Sequence, residues 1–265
     1  MKRAALIILA ACIAVSAAAQ TRAESIRARL LDPNGSDVLV AAHRGAWRVA
    51  PENSIEAIEK AIEMGVDIVE IDVRKTLGGK LILRHDPVIF HPAGAPTLEE
   101  ALLAAKGKVL LNLDKAFGYF DEVMEIAERT GTVEQIIMKS SLRAHQVLPV
   151  LGAYKGRVIF MPMVNLNRSG AMVKIEEYVQ KLDPPVYELS FGRDSNPAIQ
   201  IARARLKGRG RLWYTTLWPS HCGGRDDAVS EVNPDAGFGW LIDNAGAGVF
   251  QTDNPEFLID YLKTR

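Results

Sequence analysis

Residues 41–87 contain side chains that can perform acid–base and metal chemistry. His43 and His85 stand near the two ends of this stretch, and Glu70 and Asp72 stand between them. Unperturbed histidine titrates at about pH 6.5, so a protonated and a neutral imidazole can coexist near neutrality. Carboxylate oxygens are ligands that Mg²⁺ and Ca²⁺ prefer. The stretch therefore offers a candidate acid–base pair and a candidate metal site.

The two acids are predicted to share one face of a buried strand. After its first residue, Asp67, the run "DIVEID" (67–72) is apolar except for these two acids, and residues two apart on a strand point to the same side. Two carboxylates on one face of an apolar strand are costly unless a cation compensates them. The alternative interpretation is that Glu70 and Asp72 lie at a solvent-exposed end of the strand, where water solvates them. We expect Glu70 and Asp72 to bind a metal.

A hairpin is predicted to bring His85 to the height of these acids. The run "KLILRH" (80–85) follows the acidic strand after only about three residues, which is too short for a parallel crossover. The two runs should therefore pair antiparallel, with the turn near Gly78. In that register Asp72 lies roughly opposite Arg84, and His85 folds back beside the acids.

Short apolar runs alternate with amphipathic segments along the whole chain. Most of the runs are separated by helical patterns, such as the one from the capping Ser54 to Gly65. Near-continuous apolar runs are typical of strands covered on both faces. The main strand candidates are 38–43, 67–72, 108–114, 135–140, 157–163, 185–191, 211–217 and 248–253. Eight strands with intervening helices predict an α/β fold, a (β/α)₈ TIM barrel, although an open doubly wound sheet gives a similar pattern.

The predicted barrel explains why these groups converge. His43 ends the first strand, and the hairpin returns His85 to the end of the second strand. Active sites of such barrels lie at the carboxyl ends of the strands. Two imidazoles and two carboxylates are therefore expected to meet at that edge. A structural histidine that ends a strand is the alternative for each imidazole.

Several motifs together resemble the glycerophosphodiester phosphodiesterases, relatives of the phosphoinositide phospholipase C barrels. The resemblance covers nearly the whole chain beyond the N-terminal segment and is densest from 39 to 115. In order, the motifs are "HRG" (43–45), "PENS" (51–54), "GVDIVEIDV" (65–73), "HD" (85–86), "PTLEEAL" (96–102) and "QTDNP" (251–255). Each motif is weak alone, but this order and spacing are specific.

The resemblance implies a hydrolase that splits glycerophosphodiesters into sn-glycerol 3-phosphate and an alcohol. It also implies one divalent cation, Mg²⁺ or Ca²⁺, as cofactor. A cation and an arginine offset the charge that grows on the phosphate, and an imidazole protonates the leaving oxygen. When the family's roles are assigned to the matching positions of this chain, the catalytic pair is His43 and His85. Glu70 and Asp72 are then metal ligands, and Arg44 is the phosphate ligand. Glu52 and Asn53 support or line the site.

The sequence departs from the family in the strand after the hairpin. The usual third metal carboxylate is a Glu in "IEIK", whereas this chain reads "LNLDKAF". We expect Asp114 to be the third metal ligand. Lys115 should face away from Asp114 because adjacent strand residues alternate, so Lys139 is predicted as the second basic phosphate contact. Trp213 matches a Trp-rich strand of the family and is predicted to line the glycerol site, although core packing explains it nearly as well.

A short loop predicts an open substrate pocket. Many relatives carry a larger inserted subdomain between "HD" and "PTLEE", but here only 87–95 separates these motifs. An open rim could admit a bulkier diester, such as a lysophospholipid or glycerophosphoinositol. Two further functions stay open: a lyase that forms a cyclic phosphate, and a non-catalytic periplasmic protein that binds glycerol phosphates.

Composition and the N-terminus constrain partners and location. The 265 residues contain 32 basic and 32 acidic side chains, so there is no basic surplus for nucleic acid, and the expected partner is a small-molecule diester. Residues 1–19 have a basic start, an apolar run and a small-residue end, which predicts a signal peptide. A retained anchor and a lipoprotein formed at Cys12 are the alternatives. We expect a phosphodiesterase domain at 24–265, periplasmic or secreted and without a stable membrane span; the sequence does not specify an oligomeric state.

Overall fold

The computed structural model describes residues 20–87 and 92–265 of the chain. The predicted signal peptide at 1–19 lies outside the described residues. Within the described residues there are nine strands, and eight of them are parallel. The strands are Leu39–Ala42 (β1), Ile68–Lys75 (β2), Leu81–Leu83 (β3), Leu110–Asp114 (β4), Ile136–Ser140 (β5), Ile159–Asn165 (β6), Val186–Ser190 (β7), Arg211–Thr215 (β8) and Ala247–Thr252 (β9).

The eight parallel strands form a closed ring. β1 pairs with β9 on one side and with β2 on the other, and the remaining strands follow in chain order. The predicted (β/α)₈ barrel is therefore confirmed, and the open-sheet alternative is wrong. Each sequence-predicted strand corresponds to an observed one, with ends that differ by a few residues. Closure satisfies the backbone groups that an open sheet would expose at its edges.

Helices cover the outside of the ring. In the described part of the chain the α-helices are Arg22–Leu31 (α1), Ile55–Met64 (α2), Leu98–Ala105 (α3), Phe120–Thr130 (α4), Ala144–Leu151 (α5), Ala171–Lys181 (α6), Ala198–Leu206 (α7), Asp227–Val232 (α8) and Pro255–Thr264 (α9). α2 begins after Ser54, whose hydroxyl accepts from the backbone N–H of Ala57, and ends at the left-handed Gly65, as predicted. Shorter helical turns are Phe117–Tyr119, Val133–Gln135, Gly152–Tyr154, Pro219–His221, Asp235–Gly239 and Leu241–Ala245.

The barrel interior changes from apolar to polar along its axis. Its apolar part includes Leu39, Ile68, Leu110 and Val249, and Ile26 and Leu30 of α1 pack against this cluster. α1 has no counterpart among the sequence-predicted helices. Because strand side chains alternate, the interior positions nearer the carboxyl ends are polar. These positions hold Glu70, Asp72, Asn112, Asp114, Lys139, Glu188, Thr215 and Gln251.

The predicted hairpin is present after β2. β3 pairs antiparallel with β2, with Val73 opposite Leu83, and the backbone N–H of Arg84 donates to the Asp72 carbonyl at 3.0 Å. The connection turns at Gly79, whose φ of 83° suits glycine. β3 ends at Leu83 and α3 begins at Leu98, so a large inserted subdomain is absent, as predicted.

Among residues 20–87 and 92–265, no helix is both long enough and apolar enough to cross a bilayer.

Candidate active site

The turn after β1 places charged groups at the carboxyl face of the barrel. Arg44 and Gly45 adopt left-handed backbone conformations, with φ of 53° and 77°. A Cβ atom at Gly45 would lie 2.7 Å from the backbone of Ala57, so the turn can pack this closely on α2 only with glycine. The turn aims the backbone N–H of Arg44 at Glu70 Oε2, 3.0 Å away. This hydrogen bond links the HRG motif to the acidic strand.

His43 is held in one orientation by a carboxylate from the last strand. Its Nδ1 lies 2.7 Å from Asp253 Oδ1, and Trp47 Nε1 donates to the same oxygen at 2.6 Å. An ionised carboxylate only accepts, so Nδ1 carries the hydrogen and Nε2 is left for other chemistry. His43 Nε2 lies 3.9 Å from Glu70 Oε2. The second ring nitrogen is thereby presented to the acidic cluster.

Three carboxylates converge beside His43. Glu70, Asp72 and Asp114 each offer an oxygen, and these oxygens lie within 4.8 Å of one another. They converge because β2 and β4 are neighbours, with Asp72 paired to Asp114 in the register. Glu70 and Asp72 are each only 1% exposed. Glu70 and Asp72 lie on the same face of β2, as predicted.

The surroundings shift the pKa values of Glu70 and Asp114 in opposite directions. Burial is the main cause that raises the pKa of Glu70 to about 7; Asp72 and Asp114 add to it, while His43 and Lys139 offset it in part. For Asp114 burial also acts upward, but the ammonium groups of Lys139 and Lys115 outweigh it and lower its pKa to about 2. Glu70 is thus the acid that most lacks a compensating charge.

Lys115 contacts the acids, contrary to the prediction from strand alternation. β4 ends at Asp114, and Lys115 has a φ of 59°. This left-handed conformation breaks the alternation and turns the side chain back towards the barrel axis. The ammonium contacts Asp72 and lies 3.1 Å from Asp114 Oδ2. The expectation that Lys115 faces away from Asp114 was therefore wrong.

Lys139 lies between the acidic cluster and the far side of the barrel. Its buried Nζ is 3.3 Å from Asp114 Oδ1 and 3.5 Å from Glu188 Oε2. Burial would lower the pKa of Lys139, but Glu188, Asp114 and Glu70 together raise it above its ordinary value. The group is therefore a permanent cation beside the cluster, which suits the predicted phosphate contact.

The PEN motif orients the charged groups. Asn53 Nδ2 donates to Asp72 Oδ2 at 3.0 Å, and Asn53 Oδ1 accepts from the Asp72 backbone N–H at 2.9 Å. Glu52 accepts from Arg44 at 2.6 Å. Arg44 Nε lies 3.2 Å from Asp72 Oδ2 without hydrogen-bond alignment. These contacts make Glu52 and Asn53 supporting residues in this geometry, and leave Arg44 beside the acids.

His85 lies on the rim of the barrel. Its side chain is 42% exposed and its Nδ1 is 3.0 Å from Asp86 Oδ1. The Arg74 guanidinium donates to the His85 carbonyl at 3.0 and 2.8 Å, which fixes the backbone at the end of the hairpin. His85, Glu52 and Asn53 line one cavity. Among the described contacts, none joins the His85 ring to the three carboxylates or to His43.

The structure places Trp213 in the core. It is 0% exposed and belongs to the apolar cluster inside the barrel, so the prediction that it lines the open glycerol site does not fit this geometry. Trp213 lies too deep in the barrel to reach the open site. Thr215, the next interior residue of β8, is the one that stands among the polar positions near the carboxyl ends. Trp218 is 47% exposed instead, and its ring lies edge-on to His43 with centroids 6.2 Å apart.

Three site residues were missed by the sequence reasoning. Asp253 stands in "QTDNP", but only closure of β9 against β1 brings it to His43. Glu188 is linked to the cluster through Lys139, which lies between Glu188 and Asp114. Asn112 is 0% exposed, and neither of its side-chain polar atoms has a hydrogen-bond partner among the residues that the structure describes. A polar residue inside the apolar run "VLLNLD" was the available signal for Asn112.

The donor set fits a hard divalent cation. Three carboxylates converge, and Glu70 is buried with a raised pKa, as expected for an acid that lacks a counter-charge. Asn112 pairs with Glu70 in the β2–β4 register, so its orphaned amide belongs to the same region of the barrel interior. Mg²⁺ and Ca²⁺ bind carboxylate and amide oxygens. Lys115 contacts two of these carboxylates and would compete with a cation for them.

Comparison with known sequences divides the chain into two parts. The model of the glycerophosphoryl diester phosphodiesterase family matches residues 43–94, which include the HRG turn, the acidic strand and the hairpin. A second model, described as a domain of unknown function, matches residues 160–262. The recognised motifs therefore concentrate in the first part of the barrel.

Curated relatives match over short segments. A glycerophosphodiester phosphodiesterase of Caldanaerobacter subterraneus is 45% identical over 51 residues, which is 19% of this chain and 21% of that protein. One from Bacillus subtilis is 42% identical over 60 residues, 23% of this chain and 20% of that protein. The matches thus span about a fifth of these relatives' own length.

Solved structures share the whole barrel. A glycerophosphoryl diester phosphodiesterase of Parabacteroides distasonis aligns with a TM-score of 0.68, 16% identity, and 91% of this chain and 92% of that chain covered. The Thermotoga maritima enzyme of the same name aligns at 0.62 with 21% identity, covering 84% and 98%. A phosphodiesterase of Oleispira antarctica, solved with the product sn-glycerol 3-phosphate, aligns at 0.61 with 18% identity, covering 86% and 97%. Residues 43–94 thus match the glycerophosphoryl diester phosphodiesterase family model, and the barrel fold is shared with solved phosphodiesterases.

Proposed function

We propose that this protein hydrolyses glycerophosphodiesters to sn-glycerol 3-phosphate and an alcohol, with one divalent cation, Mg²⁺ or Ca²⁺. One observation carries the proposal: Asp253 holds His43 so that Nε2 faces a cluster of three carboxylates. A non-catalytic binding protein has no need for an imidazole with a fixed tautomer at this position. The product named for the Oleispira antarctica phosphodiesterase agrees with this reaction class.

Each side chain has a definite task in this proposal. His43 Nε2 takes a proton from the attacking oxygen or gives one to the leaving alkoxide, and the carboxylate of Asp253 stabilises the imidazolium that forms. Arg44 and Lys139 bind the non-bridging phosphate oxygens, because both carry permanent charge beside the cluster. Glu70, Asp72 and Asp114 hold the cation, which when bound compensates charge on the phosphate.

His85 is proposed as the second imidazole of the acid–base pair. It lies at the end of a hairpin that starts from the metal-binding strand, so a substrate phosphate between rim and cluster would come near it. Its exposure suits proton exchange with solvent. Apo geometries of catalytic groups are often looser than those of substrate complexes, so the absence of direct contact between the two imidazoles is compatible with this role.

The test measures sn-glycerol 3-phosphate released from glycerophosphodiesters. The wild type with Mg²⁺ or Ca²⁺ should turn over substrate, EDTA should stop it, and His43→Ala should lower the rate by about 10²–10⁴. His145→Ala is a matched control, because His145 sits on α5, on the outer side of the barrel, and binds Glu177. Full activity of His43→Ala would refute the acid–base assignment.

We also propose that the protein is exported, as periplasmic or secreted protein. This rests on the pattern of residues 1–19: Lys2 and Arg3, then an apolar run, then small residues. Fractionation of cells that express the full chain should place it outside the cytoplasm with cleavage after Ala19. Retention of the intact N-terminus in the cytoplasm would contradict the proposal.

A further inference from the structure

A cavity of about 440 Å³ opens at the carboxyl ends of β5 to β8. In the ring these strands lie on the side of the barrel opposite β1, which carries the HRG turn. Arg168, Lys174, Glu188, Thr215 and His221 are among the residues that line it. Most of its wall belongs to the segment 160–262, which matches the domain of unknown function rather than the phosphodiesterase family model. The matched part of the phosphodiesterase family model therefore does not include most of this wall.

Two chains of contact join this cavity to the candidate active site. Lys139 Nζ lies between Asp114 of the metal cluster and Glu188 of the cavity wall. On the other side, the Trp218 ring lies edge-on both to His43 and to His221, with centroid distances of 6.2 and 5.0 Å. A diester whose phosphate sits at the acidic cluster could therefore place one arm in the cavity.

The cavity wall is rich in positive charge. The Lys174 ammonium donates to the backbone carbonyls of Ser141 and Met163, and among the described residues no carboxylate lies at ion-pair distance from it. Burial, and then the nearby positive charge of Arg143, lowers the pKa of Lys174 to about 8, although the negative charge of Glu177 acts in the opposite direction. In the described part of the chain the Arg168 side chain has no ion-pair partner either. An anion in the cavity would relieve this excess of positive charge.

Groups that pair with hydroxyls lie at the bottom of the cavity. Thr215 is 6% exposed, and its Oγ1 has no hydrogen-bond partner in the structure. Glu188 Oε2 also lacks a hydrogen-bond donor, although Lys139 lies 3.5 Å away. Buried polar atoms are normally paired, so both atoms are expected to bind a ligand or water. A hydroxyl group of a ligand can form a hydrogen bond with either atom, because a hydroxyl both donates and accepts.

Building on the proposed function, we infer that this cavity binds the alcohol arm of the diester and that this arm is a polyol carrying a second phosphate. The hydroxyls meet Thr215 and Glu188, and the phosphate meets Arg168 and Lys174. A quaternary ammonium such as choline fits poorly, because the positive charges of Arg168 and Lys174 face the space it would fill.

The first experiment measures binding of the isolated arm, myo-inositol monophosphate, by calorimetry, so that it does not depend on turnover. Arg168→Met and Lys174→Met should each weaken binding about tenfold or more, while unphosphorylated myo-inositol binds all variants equally weakly. Arg193→Met is the matched control, because Arg193 is an exposed arginine outside the cavity lining. Equal binding of the phosphate by the wild type and by both cavity variants would overturn the inference.

The second experiment compares turnover of glycerophosphoinositol 4-phosphate and glycerophosphocholine by the metal-loaded wild type. The phosphorylated polyol substrate should have the higher kcat/KM, and the two cavity variants should lose this preference through KM. A higher kcat/KM for glycerophosphocholine overturns the inference and leaves the proposed function intact. Binding of the inositol phosphate without turnover of either diester would contradict the proposed function and not the cavity assignment.

Discussion

The Asp253 carboxylate determines which nitrogen of His43 faces the acidic cluster. Burial would raise the pKa of Asp253, but hydrogen bonds from His43 and Trp47 outweigh it, so the pKa lies below its ordinary value. Asp253 is therefore ionised at neutral pH and keeps the hydrogen on Nδ1. The orientation of the His43 ring thus depends on a residue more than two hundred positions away in the sequence.

Replacement of Asp253 tests this dependence. Asp253→Asn keeps the size of the side chain but can donate to Nδ1, which places the hydrogen on the wrong nitrogen, so kcat should fall by about 10²–10⁴ with little change in KM. Steady-state kinetics measure the effect. Trp47→Phe is the control, since it removes the other hydrogen bond to Asp253 and should cost far less. Near-normal kcat in Asp253→Asn would show that the orientation is unimportant.

Glu70 should make the metal-free protein less stable as the pH rises. Its pKa in the folded state is raised to about 7, so the folded state binds the proton more tightly than the unfolded state does. The contribution of Glu70 to the free energy of unfolding is therefore most favourable below about pH 4.5. It decreases by roughly 2–3 kcal/mol as the pH rises to about 7. Chemical unfolding in EDTA at pH 5 and pH 7.5 measures it.

Glu70→Gln is the matched variant for that measurement. It cannot ionise, so its free energy of unfolding should change less between the two pH values than that of the wild type. Asp227, whose pKa burial raises to about 6, titrates in both proteins and does not account for the difference. Identical pH dependence of the wild type and Glu70→Gln would contradict the assignment.

Asn112 is expected to contribute an oxygen to the cation. Asn112→Leu removes a buried amide that has no partner, so in EDTA the free energy of unfolding should stay level or rise by about 1 kcal/mol. The dissociation constant for Mg²⁺ or Ca²⁺ should rise about tenfold or more. Tyr187→Phe is the control: it also removes an orphaned buried polar atom, but on the outer face of the barrel, and should leave metal affinity unchanged. Wild-type metal affinity in Asn112→Leu would contradict this role.

At the scale of elements, the hairpin of β2 and β3 is the part that the sequence predicted best. Two apolar runs with a three-residue connection and a pair of glycines leave few other arrangements, and the observed register agrees. The turn after β4 was predicted badly. Alternation assigned Lys115 to the outer face, but its φ of 59° lies in a region that a strand pattern does not reveal.

The hairpin also provides a test of the role of His85. Arg74 on β2 holds the His85 carbonyl through two hydrogen bonds, so Arg74→Met should loosen the end of β3 and lower kcat about tenfold or more. Metal affinity should stay at the wild-type value, because Arg74 does not contact the acidic cluster. A variant with unchanged kcat would show that the position of His85 is not important for the reaction.

At the scale of the whole molecule, stabilising contacts at the amino end of the barrel lie apart from the candidate site at the carboxyl end. At the amino end of β8, the buried Arg211 donates to the backbone carbonyls of Asp32, Asp37 and Arg29 and to the Asp37 carboxylate. These bonds fix the segment between α1 and β1 beneath the barrel. The candidate site lies at the opposite, carboxyl end of the strands.

Arg211→Met should therefore destabilise the protein without altering the chemistry. Four acceptor groups each lose a hydrogen bond, and the free energy of unfolding should fall by about 3 kcal/mol. At temperatures where the variant stays folded, kcat should equal that of the wild type. Urea unfolding and steady-state kinetics give the two values. A large loss of kcat in fully folded Arg211→Met would contradict the separation.

Ring closure also explains which parts of the site the sequence could not predict. Residues within one strand or one hairpin, such as Glu70 with Asp72, follow from the period of two. Contacts across the ring, such as His43 with Asp253 and Lys139 with Glu188, depend on which strands become neighbours and on their stagger. The same stagger decides that Trp213 lies in the core and that Thr215 reaches the cavity. Apolar periodicity alone does not contain that information.

The most direct test of the account follows the phosphorus of a glycerophosphodiester by ³¹P NMR, with the metal-loaded enzyme and with the same sample after EDTA. We expect sn-glycerol 3-phosphate to appear only when the cation is present, and to appear at least about a hundredfold more slowly with His43→Ala. Formation of the same product at an undiminished rate in EDTA, or by His43→Ala, would contradict the assignment of this cluster as the active site.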